Sequence, residues 1–307
     1  MGDRSGEGAA YGCLGISCQS LGDFKTAIDY HERQLNVAKE LGDRAGEGTA
    51  YGNLGCAHYG LGDFKTAVDY HERCLKVAKD LGDRSGEGKA YNNLGNAQDS
   101  LGNFRTALNY CERSLKLAKE LGDRSAEGAA YGSLGISYHS LGDFKTAMHY
   151  HQRSMKIAKE LGERSREGEE YANLGISCHS LGDFKTALDY HTRCMKIAKE
   201  LGDRLAEGKA YNNLGNTQYS LGNFKTAIDF HEQSLKIAKE LGDRSGEEQA
   251  YSNLGGDLNS VGKFKTAKDY HERSLKIAKE LGDRRGEGRA YGDLESSISV
   301  SEILKRQ

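Results

Sequence analysis

Proline does not occur in this 307-residue chain, so no helix in it is stopped by a residue that cannot continue one. No stretch approaches the ~18 consecutive apolar residues that a membrane-spanning helix needs. No sign of charge dominates: 43 Lys and Arg face 45 Asp and Glu, for a net charge of −2, which argues against the basic excess of a nucleic-acid binder. Residues 1–8 carry no apolar core of the signal-peptide kind and read as a loop. There is no Asn-x-Ser/Thr acceptor. The seven cysteines, 13, 18, 56, 74, 111, 178 and 194, are odd in number and fall in positions that related segments fill with Ser, Asn, Ala, Gln or His. That is the behaviour of small fillers, not of a disulfide framework, and it predicts a reducing, cytoplasmic setting.

What the chain has instead is a sentence of forty residues that returns. Tyr stands at 11, 51, 91, 131, 171, 211, 251 and 291, and Phe at 24, 64, 104, 144, 184, 224 and 264. The spacing holds without an insertion, the mark of a stacked repeat architecture in which each unit needs its neighbours to bury a core. The forty glycines follow the same period and are punctuation, not disorder.

Within one unit, Tyr11, Leu14, Gly15, Cys18 and Leu21 step by three and four and predict a first helix, A. Gly22-Asp23 interrupts it: glycine suits a left-handed C-cap, and aspartate suits the N-cap of the next helix. Helix B carries Phe24, Ala27, Ile28, His31, Leu35, Ala38 and Leu41 on one stripe and ends at Gly42. Asp43-Arg44 and the Gly-Glu-Gly stretch are expected to loop into the next helix A. Each unit is then a helical hairpin with a two-residue turn.

Tyr-x2-Leu-Gly, with Ala sixteen residues after the Tyr, resembles the tetratricopeptide repeat, with Tyr in place of the usual Trp. Two features depart from that pattern. The period is 40 and not 34, and the closing Pro is missing, its part taken by Gly42. The longer unit, with Leu-Gly-Asp-Phe, Ile-Ala-Lys-Glu-Leu-Gly-Asp-Arg and Gly-Glu-Gly-x-Ala-Tyr, is similar to the arrays of the LGN/Pins class of G-protein-signalling modulators; kinesin light chains are a more distant likeness. The resemblance implies an all-α fold, a right-handed superhelix of seven hairpins, about 8–42, 48–82, 88–122, 128–162, 168–202, 208–242 and 248–282. A terminal helix, about 285–305, is expected to cover the last hairpin, the whole of 1–307 forming a single array. The N-terminal end, which opens without a capping helix, is expected to leave the array open to self-association.

A second period lies above the first. Residues 89–104 and 209–224 agree except at 97/217 and 99/219, and Gly-Ile-Ser recurs at 15, 135 and 175, which points to block duplication. The asparagines must be read with that in mind. Asn53, Asn93, Asn173, Asn213 and Asn253 share one position in helix A; Asn92 and Asn212 precede two of them, and Asn96 and Asn216 follow three residues on. Lys89, Asn92, Asn93 and Asn96 are spaced i, i+3, i+4, i+7, and in tetratricopeptide arrays the A helices line the concave wall, so the resemblance places this stripe in the groove. An asparagine amide can grip a peptide backbone both as donor and as acceptor. Lys89, Lys209 and Arg289, one turn earlier, could pair with acidic side chains or a terminal carboxylate, although Glu169 interrupts that column. The competing reading is a solvated polar face copied by duplication.

The remaining motifs carry no chemistry. The histidines at 31, 71, 151, 191, 231 and 271 are forty residues or more apart, without ligand partners on their own face, and read as partly buried packing groups. Gly-Glu-Gly follows a helix and lacks Gly-Lys-Ser/Thr, so it is not a phosphate loop. No unusual residues concentrate at one place, as they would in an enzyme. The expectation is a non-catalytic, cofactor-free and metal-free scaffold that holds an acidic protein or peptide segment, with neither nucleic acid nor membrane insertion. The resemblance implies adaptor work in G-protein signalling and cell polarity. The alternatives are a cargo adaptor of kinesin-light-chain type and a spacer or oligomerisation segment of a larger protein.

Overall fold

A computed structural model describes residues 3–305, with side chains through Glu295. Among the described residues there are fifteen α-helices and no strand. They group into two compact units, Met1–Leu161 and Gly162–Gln307. The first holds four hairpins: α1 (Arg4–Ser20) with α2 (Phe24–Leu41), α3 (Arg44–Gly60) with α4 (Phe64–Leu81), α5 (Arg84–Ser100) with α6 (Phe104–Leu121), and α7 (Arg124–Ser140) with α8 (Phe144–Leu161). The second holds three: α9 (Arg164–Ser180) with α10 (Phe184–Leu201), α11 (Arg204–Ser220) with α12 (Phe224–Leu241), and α13 (Arg244–Ser260) with α14 (Phe264–Leu281). A last helix, α15 (Arg284–Lys305), packs on α14; the side chains of its tail from residue 296, expected to cover that hairpin, lie outside the described residues.

The helix ends are made by the residues that the pattern singles out, with one correction. Gly-Glu-Gly is not a loop. Helix A begins at Arg4 or Arg44, so these glycines lie in its first turns, and the link from one hairpin to the next shrinks to Gly42-Asp43. The reason is the cap: Asp43 accepts a hydrogen bond from the Gly46 N–H at 2.9 Å, which starts the helix at Arg44, well before the apolar stripe begins at Tyr51. Gly42 adopts φ 67°, the left-handed conformation that ends α2, and the turn from α1 to α2 takes three residues, Leu21 to Asp23. The six residues beyond the usual repeat length therefore extend helices and not loops.

A second tie closes each hairpin. Arg124 donates to Glu127 at 2.5 Å, in its own first turn, and to Glu160 at 2.7 Å, at the far end of helix B. Arg4, Arg164, Arg204 and Arg244 repeat this two-way bridge, to Glu40, Glu200, Glu240 and Glu280 across the hairpin. The helix B glutamates, which by sequence alone look like solvent-facing charges, thus join the two ends of the hairpin.

The core runs between hairpins. Leu35 of α2 packs with Ala50 and Leu54 of α3, bordered by Ile28, Tyr51 and Tyr70. In the second unit Leu235, Ala250, Tyr251, Leu254 and Ile277 form the corresponding cluster. Leu21 and Leu41, expected on these stripes, are instead 85% and 50% exposed; Leu21 is the C-cap residue of α1 and Leu41 the last residue of α2. The histidines go the other way: they are fully buried. Each lies on the glycine of Tyr-x2-Leu-Gly. A Cβ at Gly135 would come within 2.5 Å of His151 Cε1, so the glycine makes room for the imidazole and not only for helix approach. In α6 the ring is replaced by Cys111, which rests on Gly95 in the same way. Burial pushes His71 and His191 down to about 4, so both rings are neutral near pH 7.

Candidate functional site

The polar stripe on the A helices divides once it is folded. Lys89 and Asn93 of α5 turn toward α3 and, with Thr49, Asn53 and Cys56, rim a recess of about 470 Å³. Its floor is the helix that α3 and α5 share: Cys74, Val77, Ala78 and Leu81 of α4. The recess is open because the residues along its walls are small, with Gly48, Gly52 and Gly86 among them. Asn93 Nδ2 reaches Cys56 Sγ at 3.8 Å, and Asn53 Nδ2 donates to Gln34 Oε1 at 3.4 Å, both weak contacts that a better acceptor could replace. Lys89 is exposed and has no ion-pair partner among the described residues. Burial raises the Cys74 thiol to about 11, so the floor is neutral and apolar at physiological pH.

Asn92, Asn96, Asn212 and Asn216 belong to the interior side of the same helices. Asn212 is buried and accepts from Asn253 Nδ2 at 2.7 Å, one A helix to the next. Asn216 Oδ1 lies 3.2 Å from Nε2 of His231, whose Nδ1 meets buried Asp257 at 2.6 Å. Asn92 and Asn96 are half-buried at the equivalent places in α5, and Asn173 is half-buried in α9. Asn212, Asn216 and Asn253 are thus engaged within the chain, whereas the buried Oδ1 of Asn92 has no hydrogen-bond partner among the described residues.

A second recess, about 310 Å³, lies between α9 and α11 over α10. Lys209 and Asn213 rim it as Lys89 and Asn93 rim the first, and Cys194, Ile197, Ala198 and Leu201 form the floor. Opposite Lys209, where the first recess has Thr49, stands Glu169. Its carboxyl is held above the ordinary range, first by partial withdrawal from water and then by Glu170; Arg166 and Lys209 act in the opposite direction. Arg289, the third cation of this column, is committed within the chain. It lies 3.7 Å from Glu248, which stands where most units have the second glycine of Gly-Glu-Gly and also accepts from Ser274 Oγ at 2.8 Å.

The pattern of columns alone did not reveal the recesses. Their signals are the cysteines at 74 and 194 beneath a glycine at 48 and 168, a pairing of small residues on different helices that means nothing until the helices are packed. Among the described residues no group of three or more His, Cys, Asp or Glu is placed to hold a metal ion, and no helix is long and apolar enough to cross a membrane.

Comparison with known proteins agrees with this geometry. A family model described as a tetratricopeptide repeat matches residues 7–80, 86–160 and 170–240, and a second with the same description matches 249–281. No curated protein matches the sequence significantly. Among solved structures, BtubC (BKLC) from P. vanneervenii is 22% identical with a TM-score of 0.63, over 72% of this chain and 92% of its own. A Rap protein in complex with competence and sporulation factor is 15% identical with a TM-score of 0.66, over 94% and 87%. A signal-transduction ATPase with numerous domains and a tetratricopeptide repeat sensor, from Pyrococcus horikoshii, is 15% identical with a TM-score of 0.68, over 92% of this chain and 46% of its own. At these identities the likeness speaks to the fold alone.

Proposed function

From its membership of the tetratricopeptide repeat family, to which this chain belongs, we infer that it is a non-catalytic scaffold that holds an extended segment of another protein against its A helices. The observation that carries this reading is Lys89: a lysine without an ion-pair partner, beside the amides of Asn53 and Asn93, above an apolar-floored recess. An acidic side chain with an aliphatic stem, such as glutamate, matches both parts. The stem meets Val77 and Leu81, and the carboxylate meets the ammonium. The amides of Asn53 and Asn93 can then exchange their weak contacts for the backbone of the segment. The Rap protein in complex with competence and sporulation factor shows that a chain of this fold can hold another molecule, which supports the reading by analogy. The likeness of the repeat to the LGN/Pins arrays supports a finer role, that of a cytoplasmic adaptor in G-protein signalling.

The test is a selection from a random peptide display library on the full chain, followed by affinity measurement. Selected peptides are expected to be enriched in Asp or Glu. Lys89→Ala, checked for unchanged helicity, is expected to weaken them about tenfold, the ~1.4 kcal/mol of a partly exposed charge-assisted contact. Peptides that bind the variant as tightly as the wild type would refute the assignment of Lys89.

A further inference from the structure

The two recesses are copies in position but not in charge. In the first, the rim residue facing Lys89 across the opening is Thr49, and the nearby carboxylate of Asp83 caps α5 by accepting from the Gly86 N–H at 2.9 Å. In the second, the residue facing Lys209 is Glu169, and buried Glu170 follows it directly on α9. Asp203 lines the recess as Asp83 does in the first. Leu205 and Ala172 stand in place of Ser85 and Gly52, so the second recess is narrower and more apolar as well.

Resting on the scaffold reading above, we propose that the α9–α11 recess selects a basic side chain, lysine or arginine, of the bound segment, and that Glu169 is the residue that sets this preference. Lys209 is not an independent cation there. Glu169 stands opposite it, Arg166 is taken up by Glu163, and the carboxylate of Asp203, which also caps α11 by accepting from the Ala206 N–H at 2.9 Å, tips the site toward an incoming cation. The aliphatic stem of a lysine or arginine lies over Ile197, Leu201 and Leu205, and its charged end reaches Glu169 at the rim. The duplication that copied Lys89 and Asn93 as Lys209 and Asn213 therefore did not copy their ligand, because the opposite wall changed from threonine to glutamate.

Methyl NMR of the full chain reads the two recesses separately, since Val77 lies in the first and Ile197 in the second. The probes are N-acetyl-lysine N-methylamide and N-acetyl-glutamate N-methylamide. Ile197 is expected to titrate with the lysine probe at an affinity about fivefold above that for the glutamate probe, the scale of one partly exposed ion pair. Glu169→Gln should erase the preference, and Glu169→Thr should reverse it. An Ile197 signal that follows the glutamate probe equally, that follows neither, or that keeps its preference in Glu169→Gln would overturn the proposal. Val77 serves as the separate readout: if it ignores the glutamate probe, the acidic anchor at Lys89 fails while the Ile197 result stands by itself.

Discussion

His71 makes the sharpest demand on the physics described above. Its ring is 2% exposed, rests on Gly55 of α3 and has no hydrogen-bond partner at Nδ1. Burial lowers it from 6.5 to about 4, so the proton is bound more tightly in the unfolded chain than in the folded one. The sign of the linkage follows: the stability is complete above pH 6.5 and drains away as the pH falls from 6.5 to 4. Integrated from pH 7.5 to pH 5, the loss at this one site is about 2 kcal/mol, approaching about 3 kcal/mol by pH 4. The chain supplies its own control, because repeat three places Cys111 where the others have histidine. In His71→Cys, the drop in unfolding free energy between pH 7.5 and pH 5, measured by urea denaturation followed by circular dichroism, should be smaller than in the wild type by about 2 kcal/mol. The other histidines contribute equally to both proteins and cancel. A direct 13C titration of the imidazoles should find His71 neutral down to at least pH 5. Identical pH slopes for the two proteins, or a His71 that titrates near 6.5, would refute the reasoning.

Two further outcomes test the packing. Leu54 is fully buried between α2 and α3, so Leu54→Ala should cost about 2–5 kcal/mol, read as a shift of the urea midpoint, the range for a core leucine whose surroundings cannot fully close. Asp257→Ala leaves buried His231 without its 2.6 Å partner and should cost about 3 kcal/mol, whereas exposed Asp29→Ala, which removes a 3.5 Å surface pair with Arg33, should change stability by less than ~0.5 kcal/mol.

Much of this molecule is legible before folding because its information is periodic. Tyr-x2-Leu-Gly, the Ala sixteen residues on, and the Gly-Asp pairs announce helix faces and helix ends, and those are local properties of the chain. The fully buried Leu54, Leu94, Leu134, Leu174 and Leu254 bear out the helix A stripe, whereas Leu14 of the first hairpin is exposed. Structure and local pattern part where a residue's partner lies on another element. Gly46 and Gly48 read as loop because glycine is a poor helix former, but Asp43 caps that turn and Val77 packs against Gly48, which outweigh a propensity cost of ~1 kcal/mol per glycine. Leu41 read as core because the stripe includes it, although the helix ends there with nothing beyond to cover it.

The sequence by itself therefore determined the helices, the Gly-Asp turn inside each hairpin, the hairpin unit and its stacking, because each depends on residues a few positions apart repeated many times. Tertiary structure alone decided which asparagines face solvent and which face another helix. Neighbours in sequence such as Asn212 and Asn213 sit about 100° apart on a helix. Packing buries the first against Asn253 and leaves the second at the rim of a recess. It likewise decided that Lys89 is uncommitted, that Lys209 faces Glu169 and that Arg289 is held by Glu248. Those pairings join residues about forty positions apart on different helices, and a charge acquires its role only from what the fold places beside it.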